Sequence, residues 1–142
     1  MHTILLPFDG SEPSKRAIQF VADTYTDHAA VKVHVLNVYE YPIDFTDYIS
    51  GATIQLLEDS LRKASERLVL DAAVPLQRLS MPHQLHVKQG LVAQNIAEQV
   101  EALGCQSIVM GTRGLGALTG LLLGSVAMRV IHLTKVPVTL VK

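Results

Sequence analysis

The chain has 142 residues, 49% of them hydrophobic and 18% charged, which suits one domain with a real core. Its net charge is −1 and its Lys and Arg residues are scattered, so no electrostatic footprint for nucleic acid is present. One cysteine, Cys105, rules out an internal disulfide and fits a reducing, cytoplasmic compartment.

Taken in order, Thr3 to Phe8 reads as a first strand, apolar on both faces as a central parallel strand should be. Pro7 belongs near its end, where a ladder N–H can be spared. This apolar start is short and lacks a basic n-region, so it does not read as a signal peptide. Asp9-Gly10-Ser11 is a turn, with Ser11 as N-cap and Glu12 and Pro13 in the first turn of a helix. Ala17, Ile18, Val21 and Ala22 form its core-facing stripe.

Val31 to Tyr39 is the second strand, where Val31, Val33 and Val35 alternate with Lys32 and His34. The alternation makes His34 a surface residue. Pro42 to Tyr48, with Asp44 and Asp47, is a connection, and its acidic pair reads as solvated. A long helix is expected from about Ile49 to Val74, with Leu57, Leu61, Ala64, Leu68 and Ala72 inward and Glu58–Arg62 and Asp59–Lys63 as exposed pairs. Pro75 to Pro82 reads as a loop.

His83 to Lys88 is a short strand of mixed polarity, expected near a sheet edge. Ile96, Ala97, Val100 and Leu103 mark a third helix, ended by Gly104. Cys105 follows it as a small buried filler rather than a reactive thiol. Ser107 to Met110 is the fourth strand, Ser125 to Leu133 the fourth helix, and Val136 to Val141 the last strand, with Pro137 demoting it to an edge. Strands alternating with helices imply right-handed βαβ units and a small doubly wound α/β sheet of five strands and four helices. His83 and His86 point to opposite faces of their strand, and the six histidines form no metal site.

The most informative stretch lies between the fourth strand and fourth helix. Gly111, Gly114, Gly116, Gly120 and Gly124 fall within it, and glycine's entropic cost demands a reason for them. A strand, a glycine loop and a helix N-terminus together make an anion site, since free amides and the helix dipole face the ligand. Gly114 to Met128 is uncharged but shorter than the roughly 18 residues that span a membrane, so it reads as loop plus buried helix. No Gly-Lys-Ser/Thr follows, so this is not a Walker A loop, and Gly114-Leu115-Gly116 lacks the third glycine of the dinucleotide fingerprint. Thr112 and Thr119 read as plain loop residues.

The spacing Gly111-x2-Gly114-x9-Gly124-Ser125 resembles the ATP-binding signature of the universal stress protein family. Ile4 to Ser11, Ile108 to Gly114, Gly124 to Ala127 and Val136-Pro137-Val138 are similar to other parts of that family, so the resemblance covers the chain. It implies a Rossmann-like sheet of order 3-2-1-4-5 and a homodimer; the apolar last strand at a sheet edge puts that contact at Val136, Val138 and Leu140. Carried over by position, Pro7, Phe8 and Asp9 would lie along adenosine, with Asp9 near the ribose, and Val38 would contact adenine. Gly111, Arg113 and Gly114 would cradle the phosphates, closed over by Gly124, Ser125 and Val126, and Met110 would join the nucleotide-binding residues. Three positions depart from the pattern: Ala127 replaces a frequent hydroxyl residue, Gln106 a common Asp and Val92 a common Pro. The first removes a phosphate contact, so AMP or ADP would serve as well as ATP, with or without Mg.

The resemblance implies a nucleotide-binding stress-response or signalling protein, with at most weak ATPase activity or autophosphorylation, since no residue stands out as a base for an attacking water. Two other readings stay open. One is an interaction module acting on a partner protein regardless of nucleotide. The other is an enzyme of the adenine-nucleotide α-hydrolase type.

Overall fold

The computed structural model describes residues 1–41, 47–114 and 123–142. Asp44, Gly116, Thr119 and Gly120 of the sequence reading lie outside the described residues.

Five parallel strands form one sheet: β1 (His2–Pro7), β2 (Val31–Tyr39), β3 (His83–Gln89), β4 (Ser107–Gly111) and β5 (Val138–Val141). Their spatial order is β3-β2-β1-β4-β5, the expected 3-2-1-4-5. β1 pairs with β2 from His2↔Val31 to Pro7↔Leu36 and with β4 at Ile4↔Ser107 and Leu5↔Ile108. Four helices cover the sheet: α1 (Glu12–Thr24), α2 (Gly51–Arg78), α3 (Val92–Ala102) and α4 (Ser125–Leu133).

The apolar run of β1 is explained by this layering. Ile4 and Leu6 point to one face, where they pack with Ala17, Ile18 and Val21 of α1 and Val69, Ala72 and Leu76 of α2. Leu5 points to the other, among Ile96 and Val100 of α3 and Ala127 and Val130 of α4. Each of these three β1 side chains is fully buried, worth roughly 1.5–3 kcal/mol apiece. Cys105 lies in the second core, and burial pushes its thiol up to about 11, so it stays protonated.

The ends of α1 and α3 match their chemistry. Ser11 caps α1 by accepting the N–H of Ser14 at 3.3 Å. Gly104 follows α3 with φ +62, and the Cys105 N–H reaches back to Val100 at 2.9 Å.

Several sequence expectations are corrected. The long helix runs on through Pro75 to Arg78, where a loop was expected. Proline removes one backbone donor, but Ala72, Ala73 and Leu76 are buried around it, and that packing outweighs the lost bond. Ser80, at φ 53, then ends the helix, with the Met81 N–H bonded to Leu76 at 3.0 Å. The buried stripe of α2 is Ser65, Val69, Ala72, Ala73 and Leu76, so Leu57, Leu61 and Leu68 are only half-buried and Ala64 is exposed. Arg62 pairs with Asp59 at 3.1 Å, one turn back, rather than with Glu58.

His34 is 3% exposed, not a surface residue, because β2 is covered on both faces and its polar alternation has no solvent side. Leu133 of α4 is exposed. Val136 precedes β5 instead of belonging to it, since Pro137 has no N–H to enter a ladder; its carbonyl accepts the Ile108 N–H at 2.9 Å.

Candidate functional site

The carboxyl ends of β1, β2 and β4 open into a cavity of about 340 Å³. Order reverses between β1 and β4, so this is the topological switch point where ligands of doubly wound sheets sit. Every candidate residue of the sequence reading lines it: Pro7, Phe8 and Asp9 after β1, Val38 on β2, Met110, Gly111, Arg113 and Gly114 at the end of β4, and Gly124, Ser125 and Val126 at the start of α4.

The backbone around it is tightly determined. The Ser11 N–H donates to Asp9 Oδ1 at 3.0 Å, which fixes the turn out of β1. The Ser11 hydroxyl donates to the Arg113 carbonyl at 3.4 Å and thereby ties α1 to the glycine segment. The Thr112 N–H donates to Val141 at 2.8 Å and the Gly124 N–H to Thr112 at 2.7 Å, so the two ends of the glycine segment are held together.

The glycines here are closely packed. A Cβ on Gly114 would come within 2.5 Å of Asp9 Oδ2, and one on Gly124 within 3.3 Å of the Arg113 Cα and the Thr112 carbonyl oxygen. The Asp9 carboxylate therefore packs directly on the glycine segment, bringing the β1 and β4 ends into one crevice.

The two ends of the cavity differ in polarity. α4 is capped by Gly124, which offers no side chain to the amides of the first turn. Those amides carry the positive end of the helix dipole, and Arg113 stands beside them. The other end is apolar, walled by Leu36, Val38, Val92 and Ile96. Among the described residues, Asp9 and Arg113 are the charged side chains lining the cavity. Among these described residues no lysine of a Walker type lines the cavity, nor a histidine or cysteine.

Sequence reasoning missed some lining residues. Thr112 is buried at the cavity wall rather than being a plain loop residue. Asn37 is also buried there; its Nδ2 donates to the Phe8 carbonyl at 2.6 Å, and Ser65 of α2 donates to its Oδ1. That network holds the Phe8–Asp9 turn against β2. An Asn between the apolar Leu36 and Val38 was the available signal, but its partners lie far away in sequence.

The chain is thus a doubly wound α/β domain whose switch-point cavity is lined by glycines at one end and by apolar side chains at the other. The model of the universal stress protein family matches residues 1–142, and the chain belongs to that family. A universal stress protein of Thermus aquaticus is 33% identical over 141 residues, covering 99% of this chain and 98% of its own. The structure of hypothetical protein MJ0577 superposes with a TM-score of 0.87 at 26% identity, over 99% of this chain and 95% of that one. An Arabidopsis thaliana universal stress family protein with AMP bound shares the fold, with a TM-score of 0.74 at 16% identity over 100% and 92% of the two chains.

Proposed function

We propose that this protein binds an adenine nucleotide, ATP, ADP or AMP, as a signalling or stress-response ligand rather than as fuel. The observation that carries the reading is the cavity's polarity: amides of α4 with no side-chain cap and Arg113 at one end, an apolar wall around Val38 at the other. Phosphate suits the first and a purine the second. The AMP found in the Arabidopsis relative supports the same ligand class. Gly114 packs on the Asp9 carboxylate and Gly124 on the Arg113 and Thr112 backbone, which holds the glycine segment beside the first turn of α4. Ser125 offers a hydroxyl and an amide to it, Gly111 and Met110 form the floor, and Val126 closes the site. Pro7 and Phe8 lie along the adenosine. The nucleotide binds free or as its Mg complex. The carboxylate among the described lining residues, Asp9, is engaged by the Ser11 N–H, and turnover is taken to be at most slow.

Equilibrium dialysis against AMP, ADP and ATP tests this, with saturable binding of at least one expected below millimolar concentration. Absence of binding at millimolar levels would sink the reading and leave the nucleotide-independent interaction module in its place. AMP and pyrophosphate accumulating from ATP would favour the α-hydrolase alternative.

Asp9 serves the ribose end, although it also holds the Ser11 N–H. Asp9→Ala is expected to weaken adenosine nucleotides by about tenfold, the worth of one hydrogen bond, and to leave inorganic phosphate binding unchanged. Equal losses for both ligands would make Asp9 a shaping residue alone.

The second part of the reading is a homodimer through β5. This strand is an edge, all four of its residues are half-buried, and Val138 and Leu140 continue the apolar core outward. An antiparallel copy about a two-fold axis would cover it. Leu140→Asp is expected to shift the protein from dimer to monomer, or to aggregate it, by sedimentation at tens of micromolar. A native monomer would refute this contact, and a dimer unchanged by the substitution would move it elsewhere.

A further inference from the structure

At the sheet edge opposite β5, two histidines face each other across β2 and β3. His34 stands opposite Gln84 and His86 opposite Leu36, so they are diagonal neighbours on the face covered by α3. Nδ1 of His34 and Nε2 of His86 are 2.8 Å apart, and the ring centroids 5.0 Å. One ring donates an N–H and the other accepts with its lone pair, so at least one is neutral.

The surroundings oppose protonation. Burial, then the charge of His86 and of Lys32, lowers His34 to about 4. Burial, then Lys88 and Lys32, lowers His86 as well. The charged groups acting on the pair are therefore cations, Lys32 on β2 and Lys88 on β3. From α3 come Ala93, Ile96 and Val100 at the sheet, while its carboxylates Glu98 and Glu101 are exposed. The Cys105 thiol, another neighbour of Lys32, is neutral. Neither ring lines the nucleotide cavity.

We infer that the His34–His86 pair is an acid-sensitive latch, whose protonation unfastens the edge strand β3 from β2 while the rest of the sheet stays paired. A first proton places charge in a buried site beside two lysines, and a second removes the acceptor altogether. β3 is the element least able to resist, since it is an edge and none of its seven residues is fully buried. Opening returns the rings to water and to their ordinary value of 6.5, so the opened form takes up protons. The sign follows: the folded values are lowered, so protection of β3 is complete above 6.5 and is lost as pH falls toward 4. One proton taken up gives about tenfold per pH unit and two give about a hundredfold.

The test is amide hydrogen exchange on the full chain between pH 7 and pH 4.5, corrected for the intrinsic exchange rate, alongside 15N NMR of the histidine rings. The expected result is a tenfold to hundredfold loss of protection per pH unit in β3 and its β2 partners, with β1 and β4 unchanged, coinciding with proton uptake by the pair. The double variant His34→Gln/His86→Gln keeps polar groups at both positions but cannot titrate, and should show no such dependence. If it fails to fold, the ring titration of the native protein decides. Rings that titrate near 6.5 while β3 stays protected would overturn the latch. So would all strands losing protection together, rings neutral at pH 4.5 with protection intact, or the same pH dependence in the double variant.

Discussion

Gly124→Asp is expected to lower adenine-nucleotide affinity by about a hundredfold or more while the protein stays folded, as read by dialysis and thermal unfolding on the same sample. Gly124 is the N-cap of α4, at φ −75 and ψ 160, a conformation that Asp adopts readily. The new carboxylate would accept from the amides of the first turn and occupy the place of the phosphate, repelling what it does not displace. Losing two charge-assisted hydrogen bonds of about 1.5 kcal/mol each gives that magnitude. The added Cβ meets backbone at 3.3 Å, a contact relieved by a few tenths of an ångström, and the gained cap offsets it. Affinity unchanged in the folded variant would remove the phosphate from this helix.

Gly111→Ala is expected to destabilise the whole fold, by about 1–3 kcal/mol, lowering Tm by several degrees. A Cβ here would lie 2.8 Å from Pro13 Cβ and 2.9 Å from Pro13 C and Ser14 N. Two of those atoms are backbone at the start of α1, so no side-chain rotation relieves the clash. β4 and α1 would have to separate, and the Ser11–Arg113 hydrogen bond lies directly on that seam. A Tm within a degree of the native value would show that the seam yields freely.

The contrast between these two glycines shows what was legible in the sequence. Their spacing to Ser125 pointed to the site, and the apolar run of β1 pointed to a strand covered on both faces. What was not legible depended on tertiary packing. Pro75 looks like a helix stop in a local window, yet the buried Ala73 before it and Leu76 after it hold the helix through it. His34 sits in an alternating strand that suggests solvent on one side, but α3 covers that side. Asn37 orients the Phe8–Asp9 turn only together with Ser65, a pairing that no periodicity announces. Gly111 gave no hint that its neighbour would be the first turn of α1, because that contact joins β4 to a helix near the other end of the chain.

The lining of the candidate cavity was legible because its residues lie at three strand ends and one helix start. The position of Thr112 in its wall was not, because a threonine after a strand is ordinary until the backbone on both sides is tied down, here to Val141 and Gly124.

The central claim is that α4's first turn and the β4 end hold a nucleotide's phosphates. Its most direct test is an NMR titration of the uniformly 15N-labelled protein with AMP. The largest amide shifts are expected at Gly111, Gly114, Ser125 and Val126, with Val38 moving under AMP but not under inorganic phosphate. Saturable binding that leaves Ser125 and Val126 unmoved, or no shift anywhere at millimolar AMP, ADP and ATP, would contradict it.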